Sequence, residues 1–238
     1  DFALSNSGFG RNAKAILSYL YSTGKYDIVS YCCGMGETHS QLQQTPWKSV
    51  GALTSNQKEL EFLRKDPELF KKVSYGSERL DKLVKDFKPD VYFGVQDIWG
   101  VDYAAEKSWF PKINSAIWTT LDSLPILPSA VKLAPKIKNY WIWSEFATKA
   151  LHELGHTHVQ TVHGAIETRD FYKLSPESKT ETRRRNNISS DDFIVGFVFR
   201  NQLRKSVPNL LEGFKIFKNS QKDKSKGIKL LLHTSFAE

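Results

Sequence analysis

The chain has 238 residues, 40% hydrophobic and 13% aromatic, enough apolar material for one large or two small domains with real cores. Lys and Arg outnumber Asp and Glu by 34 to 26, a net charge of +8, so the favoured partners are anions: nucleotides, nucleic acid or phosphorylated glycans. No apolar run approaches the ~20 residues that span a bilayer, and the two cysteines, Cys32 and Cys33, are adjacent, which excludes a disulfide framework and makes a reducing, cytoplasmic setting the expectation.

In chain order, "SNSGFGRN" reads as a glycine loop. A helix from Asn12 to Ser22 follows, with Ala13, Ile16, Leu17 and Leu20 on one face and Gly24 as its stop. "YDIVSYCC" is a buried strand. Residues 56–88 are charged and periodic and read as one or two covering helices, ended by Pro89. "DVYFGV", "INSAIW" and "NYWIWS" are short strands. Ser144 is placed to cap the next helix, with Phe146, Ala150, Leu151 and Leu154 lining one face before Gly155 ends it. "HVQTV" returns as a strand, and 168–187 lapses into a polar, charged linker or surface hairpin. "FIVGFVF", a helix near 207–218 and "IKLLLH" open a second unit. Strands alternating with helices predict an α/β fold of parallel βαβ units, with ligands beyond the carboxyl ends of the strands. The chain opens on Asp1-Phe2 without Met and closes on "LLLHTSFAE", just past an apolar strand, and so reads as a piece of a longer protein.

The stretch "VGFVFRNQLRKSVPNLLEGF", 195–214, places Arg200 at the end of a strand and Lys205 at the mouth of a helix. A helix N-terminus offers unpaired N–H groups and a partial positive charge, so a phosphate there would gain dipole, backbone donors and cations together. Pro208 is tolerated in the first turn, and Leu210, Leu211, Phe214 and Phe217 supply the buried face.

Read as strand, Arg, loop, "KS", then "LL" and an aromatic, this segment resembles the donor-phosphate motif of GT-B glycosyltransferases, in particular glycosyltransferase family 4, with a flavour close to phage-encoded members. Ser206 stands where the family usually has Gly, and Gly213 where it has Ala. "VHGAIETRDFY", 162–172, is similar to the family's inter-domain segment through Gly164, Glu167 and Phe171, and "SNSGFGRNAKAILSYLYSTGKYDIV" to its N-terminal glycine loop and helix. The resemblance spans essentially the whole chain.

It implies two Rossmann-like domains facing a cleft: an acceptor domain over 1–165 and, over 166–238, the start of a nucleotide-sugar-binding domain that stops before the family's late paired-glutamate motif. The implied activity is transfer of a hexosyl group from a nucleoside diphosphate sugar, such as a UDP-sugar, to an acceptor hydroxyl, with retention of configuration and with neither metal nor cofactor. Arg200, Lys205, Gly8 and Gly10 would meet the donor phosphates, and Arg11 and Glu167 the acceptor or cleft. Asp97, closing "DVYFGVQD", and Asp122, in "TTLDS", would orient or deprotonate the acceptor hydroxyl. Asp122 fills the aspartate position of the family's His-Asp pair, with no histidine beside it. The acceptor is a glycan or, given the basic charge, hydroxymethylated DNA.

Other readings of the same residues are weaker. Gly8, Gly10 and Ala13 satisfy G-x-G-x-x-A, but "SYCCGMG" has cysteines where a dinucleotide-dependent oxidoreductase needs an acidic residue for the ribose. His152 and His156 are four apart, yet Gly155 breaks the helix between them, and with His158 and His163 they read as structural rather than as zinc ligands. The Arg183–Arg185 run and six tryptophans would also suit a non-catalytic nucleic-acid-binding α/β protein.

Overall fold

A computed structural model of the chain describes residues 1–221 and 226–235. Residues 222–225 and 236–238 of the expected second domain, including the end of "LLLHTSFAE", lie outside them. The fold is α/β with parallel sheets and divides into two compact units, Asp1–Asp170 and Phe171–Glu238. Among the described residues no helix is long and apolar enough to cross a membrane.

Unit 1 opens with helix α1 (Gly8–Ser22), strand β1 (Val29–Gly36) and strand β2 (Lys48–Leu53), the two strands pairing in parallel. The charged stretch that follows is three helices, α2 (Gln57–Leu63), α3 (Pro67–Ser74) and α4 (Leu80–Phe87), where one or two were expected. The break has a local cause. Asp66 accepts the amides of Glu68 and Leu69 at 3.1 Å, and Pro67, which lacks an N–H, is suited to open a new helix there.

Strands β3 (Val91–Val95), β4 (Asn114–Thr119), β5 (Asn139–Ile142) and β6 (Gln160–Thr161) form one four-stranded parallel sheet in sequential order. The connections carry α5 (Ile98–Ala105), α6 (Pro128–Leu133) and α7 (Glu145–Glu153). β4 is buried along five of its six residues, and Ile117, Tyr140, Ile142, Leu151 and Val159 form the fully buried centre of the core. At about 25 cal/mol per Å2 of apolar surface, each such side chain stabilises the fold by roughly 1.5–3 kcal/mol. The core face of α7 differs from the expected one: Ala147, Thr148 and Leu151 are buried, whereas Phe146 and Leu154 are exposed. Ser144 stands at its N-cap position without capping it, because its hydroxyl donates to the Leu121 carbonyl at 3.1 Å.

Unit 2 holds α8 (Pro176–Arg185), β7 (Phe193–Val198), α9 (Val207–Ser220) and β8 (Ile228–His233), with β7 and β8 paired in parallel over six residues. The polar stretch expected as a linker is therefore partly helix. Ser175 caps α8, Pro176 starts it, and no residue of it is buried. Arg183 donates to the carbonyls of Ser189 and Asp192, and Arg184 and Arg185 both bind Glu181. The basic run is thus held by its own unit.

Candidate functional site

The expected site residues of unit 1 gather beyond the carboxyl edge of the four-stranded sheet, where successive strand ends are bound to one another. The Trp143 amide donates to Thr119 at 3.1 Å, the Trp118 indole to Val162 at 2.7 Å, and His163 Nδ1 to the Trp143 carbonyl at 2.9 Å. An aromatic layer underlies this edge: Phe93, Trp118 and Trp143 pack in sequence, and Phe9 of α1 meets Trp143 with centroids 5.2 Å apart.

The first turn of α1 closes the edge. Gly8, Gly10 and Arg11 were expected in a loop, but Ser7 is the N-cap, its hydroxyl accepting the Gly10 amide at 2.9 Å, and the helix begins at Gly8. The two glycines have different surroundings. A Cβ on Gly10 would lie 2.7 Å from the Phe2 carbonyl and 2.8 Å from that of Ser5, so Gly10 is required for packing within the unit. Gly8 is exposed with nothing within 4 Å of where its Cβ would sit. Arg11 is exposed beside it.

Asn12, which sequence reasoning passed over, ties this turn to the far end of the unit. It is 9% exposed, donates through Nδ2 to the Gly8 carbonyl and accepts the Ala165 amide on Oδ1, both at 2.9 Å. Gly164 alongside lies so close to Trp143 that a Cβ would stand 2.6 Å from the indole. Glu167 is taken up locally: its carboxylate accepts both the amide and the guanidinium of Arg169, whose hydrogen bonds hold its pKa below the usual carboxylate range.

Asp97 follows β3 and precedes α5, yet its side chain does not cap that helix. Instead Oδ1 accepts the Thr120 hydroxyl at 2.6 Å, joining the ends of β3 and β4. Asp122, two residues past Thr120, is exposed and has no hydrogen-bond or ion-pair partner among the described residues. The structure therefore pairs Asp97 with Thr120, a residue the sequence reading did not single out, rather than with Asp122. Of the histidines, His152 binds the Val159 carbonyl at 2.8 Å and His158 that of Ala134 at 3.0 Å.

In unit 2, Arg200 lies two residues past β7, after Phe199 has extended the ladder by one bond to His233. Lys205 ends a 3-10 turn, Leu203–Lys205, and is half-buried, with no partner for its ammonium among the described residues. Ser206 then takes a left-handed conformation, φ 49° and ψ 51°, and α9 starts at Val207 with Pro208 in its first turn. The Ser206 hydroxyl makes no cap bond, so the first amides of α9 keep their donors. The arrangement presents a half-buried ammonium at an uncapped, 14-residue helix N-terminus, which is suited to an anion. No family model matches the chain, and no curated protein matches it.

Proposed function

We propose that this chain is a GT-B-type glycosyltransferase that moves a hexosyl group from a nucleoside diphosphate sugar to an acceptor hydroxyl. The observation that carries the reading is the backbone at Ser206. The residue that stands where the family motif has Gly adopts the left-handed conformation that glycine favours, directly between Lys205 and α9. The positive φ supports reading Ser206 in the place of that glycine despite the change of residue type.

In this mechanism the bond between the sugar C1 and the diphosphate oxygen breaks as the acceptor oxygen bonds to C1. Arg200, Lys205 and the amides opening α9 stabilise the charge that grows on the departing diphosphate. The acceptor hydroxyl loses its proton to a base, for which the Asp122 carboxylate is uncommitted, whereas Asp97 is engaged by Thr120 and serves to position. Gly8 leaves room for close approach of a substrate at the start of α1. The acceptor is a glycan hydroxyl or that of a hydroxymethylated base. The free thiols of Cys32 and Cys33 fit a reducing compartment.

The test is a melting panel with UDP, GDP and ADP on the chain and on Lys205→Ala. A diphosphate at about 100 times its dissociation constant raises stability by ~2.7 kcal/mol. One nucleoside diphosphate should stabilise the parent and not the variant, and turnover with the matching sugar donor should fall ~10²-fold or more. Stabilisation by a diphosphate that Lys205→Ala leaves intact would overturn the assignment.

A further inference from the structure

Unit 1 has a groove of about 490 Å3 between α3, α5 and α6. Its volume is within the range of small-molecule sites. One wall is Trp99 in the first turn of α5, whose side chain is 40% exposed although five of its neighbours on that helix are buried. Tyr75, at the end of α3, meets the indole edge-on with centroids 4.7 Å apart, and the Lys71 ammonium rests 4.3 Å from the ring centroid. Lys72 and Lys132 face the same space.

The wall is anchored. The Tyr103 phenol donates to the Tyr75 carbonyl at 2.8 Å and the Tyr31 phenol to the Gly76 carbonyl at 3.2 Å, which holds the last turn of α3 and its two lysines in place. Three carboxylates also line the groove, and each has a local role. Glu106 is 3.6 Å from Lys136, and Glu68 lies in the first turn of α3 where the helix dipole favours it. Asp102 accepts the Tyr103 amide at 2.8 Å, and burial pushes its carboxyl up while that amide and nearby Lys72 draw it back. None of the three lysines has an ion-pair partner among the described residues. The groove thus offers three ammonium groups without an ion pair beside three carboxylates, with Lys72 close enough to act on Asp102.

We propose that this groove binds a nucleobase with its phosphate, the base stacked on Trp99 and the phosphate drawn by Lys71, Lys72 and Lys132, from a free nucleotide or from a single-stranded nucleic acid. An indole offers a flat surface to any base, and ammonium groups attract phosphate without demanding a fixed geometry. Lys71 links the two halves: an arriving phosphate draws its ammonium off the ring and frees that face for the base. The inference does not rest on the transferase reading, because none of the residues assigned to that reading lines this groove.

Calorimetric titrations of the chain with adenosine 5′-monophosphate, with inorganic phosphate and with an oligothymidylate of about eight nucleotides test this. Trp99→Leu should weaken binding about tenfold, Trp99→Phe should retain most of it, and Lys71→Gln with Lys72→Gln should weaken it and flatten its salt dependence. Lys205→Ala should leave it unchanged. Binding of the monophosphate as tight as that of the strand identifies a nucleotide site, and a much tighter strand identifies a nucleic-acid site. No binding of either probe, or binding that survives the lysine variants, overturns the proposal. So does phosphate alone binding as tightly as the monophosphate, or binding lost only with Lys205→Ala. Where circular dichroism shows Trp99→Leu unfolded, Trp99→Phe and the lysine pair decide.

Discussion

Replacing Asn12 by Ala should loosen the join between the first turn of α1 and the segment after β6. The side chain is nearly buried and makes two bonds of 2.9 Å, one within its helix and one to an amide 153 positions away. The Gly8 carbonyl keeps its helical partner, so its loss is small. The Ala165 amide loses its acceptor, and the truncated side chain leaves a void against the core. One hydrogen bond contributes about 1 kcal/mol net, so with the void the destabilisation should be about 1–2 kcal/mol. For a unit of this size that lowers the melting temperature by roughly 2–8 °C. Amide hydrogen exchange gives the sharper readout: Ala165 should lose protection in Asn12→Ala and keep it in Asn12→Asp, which retains the acceptor but not the donor. Equal protection of Ala165 in the parent and in Asn12→Ala would refute the reasoning, and so would its loss in Asn12→Asp.

Gly164→Ala forces a methyl group against the Trp143 ring, and overpacking of this kind costs about 1–3 kcal/mol; the near-ultraviolet circular dichroism of the indole layer should change with it. Ser206→Gly should leave unit 2 as stable or raise it by up to about 1 kcal/mol, since its hydroxyl caps nothing and its φ is positive, whereas Ser206→Val should destabilise it; urea unfolding distinguishes the two. Asp81 accepts bonds from Lys107 at 2.7 Å and the Trp109 indole at 2.8 Å, and these hold its pKa below the usual carboxylate range, Lys107 contributing most. A lowered folded-state pKa adds stability above the unfolded value that is lost as pH falls through the folded one. Asp81→Asn should therefore lower the unfolding free energy measured with urea near neutral pH by under about 1 kcal/mol, because the pair is largely exposed, and match the parent near pH 2.

Several of the parallel strands were legible because their β-branched and aromatic runs are bounded by charge or Pro, as at 90–95, 113–118 and 193–199. α5 was not. Its residues Ile98, Gly100, Val101, Ala104 and Ala105 are buried around much of its circumference, so no polar face betrays the helical period. α8 failed in the opposite way, with no buried face and only Ser175-Pro176 to mark its start. Among the expected site residues, the place of Lys205 before a helix was legible, while the bonds from Asn12 to Ala165 and from Thr120 to Asp97 join positions far apart in the chain and leave no local signal. The different surroundings of Gly8 and Gly10 were equally silent, because a glycine crowded by its neighbours and one in open space look alike in sequence.

The arginines of α8 separate charge counted from charge on offer. Arg183 reaches two carbonyls at the entry to β7, and its neighbours share one glutamate. A polyanion that recruited these guanidiniums would have to detach them from the strand they support, so its binding would be coupled to loosening of the second unit. Such a ligand would bind more weakly by the cost of that loosening, and at a given concentration it would raise the melting temperature of that unit less than one met by a site built for it.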